Sequence, residues 1–521
     1  MIQWQKGKAS SDWGNADAVC IPIPKFDDDD DGMYAKTTAV SRYLFSYEFN
    51  ATVLVLTRTE LHILTSDKKA KHLEPLVGKG SVKVTIHTST KDDKNAGNFA
   101  SLVRAIKGSH TGARLGIPAK DVVSHAGVEG NLALVWMTHA KEKAGLAIVD
   151  VTRGLSHIMA HKDATELGYL QKAAVMSNKV LKHGFVKKME EVFEEEGKVV
   201  KHSEMAQHLD DIMEDPSKIG IKVPPDTIEA CYFPIVQSGG CVKGYNIKPS
   251  AATDEGVLTE DVVVVSLGAR FKNYCANVAR TYVIDSVDKV ERTYKALVRV
   301  QQECLAGMVP GAKLADVHKR ATDFLAKKHS HLLPHLPKSL GFSLGLDFRD
   351  AVYKLEAKTD PGLLFAAGMC FNLAVGFADV QLTAADRANA KGSVKDMSQF
   401  SMLIADTVKI AGDDRTPAEV LTKASTDFSD ISFTIKEVDE DDDEEDGEEE
   451  EDEGVEVKTV AGRATVLKSR LRERTNMTDE AMEARQKRAE KQLKLREQMR
   501  DRNSAKLMSK LGGAGGPGGG Q

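Results

Sequence analysis

Residues 262–284 read VVVVSLGARFKNYCANVARTYVI. The opening VVVVSLG is apolar and β-branched, the composition of a strand buried on both faces. Lys and Asn interrupt the pattern, and VARTYVI resumes it. No aspartate or glutamate occurs anywhere in the stretch.

Amphipathic helices flank this segment. ELGYLQKAAVMSNKVLKHGFVKKMEEVFEEE (166–196) repeats apolar residues at three- and four-residue spacing. SVDKVERTYKALVRVQQECLAG (286–307) predicts a second long helix, with Ser286 as N-cap and Gly307 at its stop. GMCFNLAVGF (368–377) and FSMLIADTVKI (400–410) read as further strands. Long helices among antiparallel-looking strands predict an α+β domain over about 166–430. Residues 1–165 predict a separate α/β lobe. There TVLVLTRTELHILTS (52–66) reads as two strands, LALVWMTH (132–139) and LAIVDVT (146–152) as further strands, and ASLVRAIKGS (100–109) as a helix.

The 521 residues suffice for two or three domains, and no apolar run approaches the ~18–20 residues of a membrane span. The N-terminus lacks a signal-peptide pattern. The six cysteines show no CxxC pair, which points to free thiols in a reducing, intracellular setting. The net charge of −6 hides an asymmetry. Residues 437–456 carry sixteen acids and no base, whereas residues 458–510 carry sixteen Lys or Arg against seven acids. The first block is an acidic linker (431–460) kept extended by its own repulsion. The second (461–510) is a basic helical segment in which Thr478 can cap and Glu483–Lys487 and Glu490–Lys494 pair. A glycine-rich tail, 511–521, follows.

Generic catalytic patterns are weak. His157 and His161 in SHIMAH lack the Glu of HExxH, and ordinary helix residues account for them. His329, His331 and His335 in HSHLLPH surround Pro334, which predicts a solvated loop. VGKGSVK (77–83) lacks a complete phosphate-loop or dinucleotide pattern, and no GxSxG occurs.

The hairpin frame is more specific. Gly268, Tyr274, Arg280 and Thr281 stand at the spacing of the metal-binding hairpin in the pita-bread family, which includes methionine aminopeptidase, aminopeptidase P, prolidase and creatinase. GFSLGLDFRD, AGMCFNLAVG and LIADTVKI resemble that family's later motifs, and FPIVQSGG (233–240) resembles the strand before its substrate-contacting His. The resemblance implies metal ligands at five positions, which here hold Ser266, Asn277, Phe342, Ala374 and Ala405. A two-metal hydrolase needs several anionic oxygens and an imidazole to bind its cations and acidify a water. One hydroxyl, one amide and three apolar side chains supply neither. The expectation is a pita-bread domain with no catalytic residues, no metal and no cofactor. The alternative is an active metal-dependent aminopeptidase with displaced ligands drawn from Asp261, Asp347, Asp350, Asp379 and Asp406. Gln237, Ser238 and Asn246 are candidates to line a peptide groove.

The order of α/β lobe, empty pita-bread domain, acidic block and GRATVLKSRLRERTNMTDEAMEARQKRAEKQLKLREQ (462–498) is similar to that of the large-subunit family of the FACT histone chaperone, across about residues 1–505. That resemblance implies nucleosome reorganisation in transcription, replication and repair, a nuclear and chromosomal location, and histones as partners. Asp441, Asp442, Asp443, Glu444, Glu445, Asp446, Glu448, Glu449, Glu450 and Glu451 are the candidate histone-binding acids; a solubilising linker is the other reading of this block. A smaller FACT subunit is implied only through modules that family members carry beyond this point, so a shortened chain is expected. The basic helix could contact DNA weakly, direct nuclear import or lead into a folded partner. No membrane association is expected.

Overall fold

The computed structural model describes residues 12–25, 35–119, 131–195, 198–224, 227–239, 256–388, 390 and 392–435. Asn246, the acidic block and the basic segment lie outside these residues.

The first sheet uses β1 (Ala18–Ile23), β2 (Thr52–Leu56), β3 (Glu60–Thr65), β4 (Lys83–Thr88), β5 (Arg114–Ile117) and β6 (Ala147–Asp150), in the order β4-β3-β2-β1-β5-β6. Period-two alternation sends Ala18 and Cys20 to one apolar cluster and Val19, Ile21 and Ile23 to another, so both faces are covered. This is the predicted α/β lobe. One expected strand is instead a helix: LALVWMT forms Leu132–Thr138, and Asn131 Oδ1 accepts from the Ala133 amide at 3.1 Å. Ala133, Trp136, Met137 and Ala140 are buried at three- and four-residue spacing, a helical face hidden inside a short apolar run.

The second part contains β7 (Ile228–Ala230), β8 (Ile235–Gln237), β9 (Val262–Leu267), β10 (Ala269–Phe271), β11 (Tyr274–Cys275), β12 (Val278–Ile284), β13 (Ser339–Ser343), β14 (Lys354–Glu356), β15 (Cys370–Gln381), β16 (Gln399–Lys409), β17 (Glu419–Val420) and β18 (Ser432–Phe433). A curved nine-stranded sheet runs β14-β13-β15-β16-β12-β9-β8, with β17 on β16 and β18 on β12. Helices pack on one face, chiefly Asp288–Gly307, Leu314–Lys328 and His202–Glu214, and share the large core cluster with the sheet. This is the predicted α+β domain. The 166–196 helix is observed as Ala164–Lys179 and Lys187–Glu194 joined by a π-helical turn, Val180–Val186. Val287, not Ser286, precedes the long helix, because the Ser286 hydroxyl donates to the Val287 carbonyl rather than capping. HSHLLPH is not an open loop. Its Ser330–His335 part winds into a 3-10 turn that accommodates Pro334, and His335 Nδ1 lies 2.7 Å from the Ala378 carbonyl.

The described cysteines are buried free thiols, and no described helix is long and apolar enough to cross a membrane.

One buried ion pair pins the large sheet. Arg280 Nη2 donates to Asp406 Oδ1 at 2.8 Å, with both side chains almost fully enclosed. The other guanidinium donors reach the carbonyls of Ala279, Ala405, Ala424 and Ser425 at 2.7–3.0 Å. Gln301 and Thr422 donate to the carboxylate at 2.6 and 2.7 Å. Breaking such a pair leaves an uncompensated charge, at a cost of about 3–5 kcal/mol. Asp406→Ala should therefore lower the unfolding free energy by about that amount in urea denaturation. The double variant Arg280→Met/Asp406→Leu should recover most of it.

Candidate functional site

Register assembles the five family-ligand positions. Ser266 on β9 pairs with Ala279 on β12, Ala279 with Ala405 on β16, and Ala405 with Ala374 on β15. Two residues along, Thr407 pairs with Asn372, and Asn372 with Phe342 on β13. Asn277 joins this second row, since its amide donates to Thr407 Oγ1 at 2.8 Å and Thr407 Oγ1 donates back to its carbonyl at 3.0 Å. Because side chains alternate across a strand, all five positions share one face. Gln237, opposite Val264, extends that face onto β8.

The face is filled by a hydrogen-bond chain and apolar groups. Tyr232 Oη donates to Asn277 Oδ1, so the Ser266 hydroxyl, 2.7 Å away, donates to Tyr232. Asn277 Nδ2 then donates to Asn372 Oδ1 at 3.0 Å. The chain ends on Asn372 Nδ2, a fully buried donor with no hydrogen-bond partner. Ala279, Ala374 and Ala405 pack with Val264 and Leu403, while Phe342 packs with Phe348, Cys231 and Cys275. Tyr232 and Asn372 were not singled out from sequence. Asn372 stands two residues before Ala374, and Tyr232 immediately before the quoted FPIVQSGG, so strand parity and adjacency were the available signals.

This donor set does not fit a divalent metal. The oxygens of Ser266, Tyr232, Asn277 and Asn372 already accept or donate within the chain, Asn372 leaves unspent an N–H whose positive end repels a cation, and the single neutral Gln237 Oε1 at the edge cannot replace several anionic ligands. The off-frame acids are engaged elsewhere. Asp406 points to the opposite, helix-covered face and holds Arg280. Asp347 and Asp350 both pair with Lys36 from the helix Lys36–Phe45 of the first lobe, the latter at 2.7 Å. Burial opposes the Lys36 charge, but the two carboxylates outweigh it and hold the ammonium above its usual pKa. Asp379 is an exposed residue at a bulge of β15 with φ of 55°. Among the described residues no three His, Cys, Asp or Glu side chains lie close enough to hold an ion.

Ser238 turns out of the row. Its hydroxyl lies 2.7 Å from His202 Nε2 and accepts the Thr259 amide at 2.9 Å. Nearby, Asp261 accepts from the Gly239 amide and the Thr259 hydroxyl, both at 3.0 Å. His157 Nδ1 lies 2.7 Å from Tyr353 Oη, and His161 Nδ1 lies 3.1 Å from the His157 carbonyl.

Residues 1–154 match the FACT complex subunit SPT16 N-terminal lobe domain, and residues 168–410 match metallopeptidase family M24. The FACT complex subunit SPT16 of Arabidopsis thaliana is 33% identical over 445 residues, 84% of this chain and 40% of that protein. The N-terminal domain of FACT complex subunit SPT16 from Cicer arietinum superposes with a TM-score of 0.72 at 29% identity, covering 83% of this chain and 96% of that one. Over these regions the chain is similar to the N-terminal part of SPT16 proteins. It spans about 40% of the length of this curated SPT16 relative. Prolidase from Pyrococcus furiosus, 16% identical with a TM-score of 0.54 over 80% of this chain and 99% of its own, shares the pita-bread fold.

Two outcomes follow for this SPT16-like site. Tyr232→Phe strands the Ser266 hydroxyl and the Asn277 carbonyl oxygen in the interior, so stability should fall by about 1–3 kcal/mol, read as a lower denaturation midpoint at unchanged m. Burial pushes the Asp261 pKa up to about 6, against the opposing effect of its hydrogen-bond donors. The folded state then binds the proton more tightly than the unfolded state, so stability falls as pH rises from about 4 to 6. Over that window the loss is about 3 kcal/mol, and Asp261→Asn should flatten it in denaturation curves measured across pH.

Proposed function

We propose that the chain is the histone-binding N-terminal part of a nuclear, FACT-type histone chaperone subunit, acting in nucleosome reorganisation during transcription, replication and repair, with no peptidase activity of its own. Similarity to SPT16 proteins carries this reading. The uncharged, internally hydrogen-bonded face where a metallopeptidase would hold its ions supports the non-catalytic part. In this reading the functional layout is a lobe at 1–165, a pita-bread domain at 166–430, an acidic linker at 431–460, a basic helical segment at 461–510 and a glycine tail at 511–521.

The acids from Asp441 to Asp446 and from Glu448 to Glu451 would screen exposed basic histone surface in competition with DNA phosphate. The peptidase-like face, with Gln237 at its edge, would serve as a peptide groove for a histone tail; Gln237 Oε1, buried with no hydrogen-bond partner, supports a role as acceptor there. Asn246 and Ser238 belong to the same proposed groove. The basic residues between 485 and 502 would contribute at most a weak DNA contact, and the smaller FACT subunit would bind through modules beyond those present.

Deleting residues 437–456 should reduce recovery of core histones in pull-downs several-fold and remove most of the salt dependence of binding. Equal recovery with and without the segment would take the acidic block out of the mechanism. Stoichiometric metal in the purified protein, with aminopeptidase turnover lost on chelation, would replace the chaperone reading with the hydrolase one.

A further inference from the structure

A pocket of about 410 Å³ opens on the helical face, away from the peptidase-like site. Four elements build it. The π-helical turn Val180–Val186 and the helix Lys187–Glu194 contribute His183, Lys187 and Lys188. The helix His202–Glu214 contributes His208 and Ile212, and the 3-10 turn Pro216–Ile219 contributes Lys218. A π turn widens the helix locally and is common at functional sites. Gly184 makes the pocket possible, because a Cβ there would meet Ile212 Cδ1 at 2.9 Å and Leu209 Cδ2 at 3.2 Å. The His208 ring lines the pocket with its N–H toward the Gly184 backbone.

The lining is electropositive. Lys188 is neutralised by Glu191 at 2.9 Å, but Lys187 makes no ion pair among the described residues, and Lys218 donates only to the Asp211 carbonyl at 3.1 Å. Three ammonium groups and the Glu191 carboxylate line the pocket, while Glu190 interacts with Lys187 and Asp215 with Lys218 beside it. Both histidines are held below their usual pKa, first by burial and then by neighbouring lysines: Lys187, Lys182 and Lys179 for His183, and Lys188 for His208. Glu191 and Asp211 act weakly in the opposite sense on His208. A neutral His183 in such a place is an additional N–H donor for an anion.

We propose that this pocket binds a compact, soluble polyphosphate anion, gripped by Lys187 and Lys218 and by the ring N–H of His183. Converging donors from three elements suit tetrahedral phosphate oxygens, with lysines acting as point charges. The volume exceeds what a lone carboxylate fills and lies within the range of small-ligand pockets. Lys187 and Lys218 are exposed, beside the buried Ile212 that also lines the pocket. The proposal does not depend on histone binding by the acidic block.

Isothermal titration of the full chain with inositol hexakisphosphate, and separately with pyrophosphate, tests it. The expected result is saturable 1:1 binding that weakens about tenfold in Lys187→Gln and again in Lys218→Gln. Lys319→Gln, on the surface of the distant helix Leu314–Lys328, should leave it unchanged. Circular dichroism of the exposed-lysine variants checks that each is folded. Absence of saturable binding at millimolar anion, or binding indifferent to both pocket substitutions, would overturn the proposal. So would a phosphoserine peptide or a DNA duplex binding through the same lysines more tightly than the free anions, since either would assign the pocket to a macromolecule.

Discussion

The buried Arg280–Asp406 pair fixes the geometry on which everything else rests. A guanidinium enclosed in protein must place its N–H groups, and here they reach four backbone carbonyls and one carboxylate. Those contacts join β12, β16 and the segment after β17, while Gln301 draws the long helix onto the same carboxylate. A slip of one residue between β12 and β16 would undo all of these contacts at once. The register is therefore specified strongly, and with it the face on which every neighbouring side chain emerges.

That parity divides the family-like motifs into two sets. Gly268, Arg280, Thr281 and Asp406 serve the architecture. A Cβ at Gly268 would come within 2.5 Å of the Ala276 carbonyl, and the Thr281 hydroxyl exchanges hydrogen bonds with the Leu403 backbone at 2.8 and 3.0 Å. Ser266, Asn277, Phe342, Ala374 and Ala405 stand on the side opposite Arg280 and Asp406, a side that Thr281 shares with them. A sheet can thus keep the frame of a metallopeptidase while its other side carries a neutral hydrogen-bonded surface. The two lobes are joined by a comparable device, since Lys36 reaches across 314 residues of sequence to Asp350.

Much of this was legible in the sequence. The strands of the large sheet and the long helices announced themselves through period two and period 3.6. LALVWMTH misled because a short apolar run with no polar partner positions carries no period, and only the packed face of Ala133, Trp136, Met137 and Ala140 distinguishes helix from strand. Ser286 looked like a cap by residue type, but capping is decided by where the hydroxyl points. At the site, the five identities could be placed because they lie at fixed spacing within motifs. The chain from Ser266 through Tyr232 and Asn277 to Asn372 could not, because its partners stand up to 95 residues apart and meet only through the sheet. The basic pocket was equally hidden, as its lysines and histidines are scattered through an ordinary-looking helical region.

The unspent amide of Asn372 has a further implication. A carboxylate introduced at Ala374, its neighbour on the same face, would find that N–H waiting and settle into a neutral-to-anionic hydrogen bond with it. One added carboxylate would thereby meet a hydrogen-bond donor of the existing network before it met a cation.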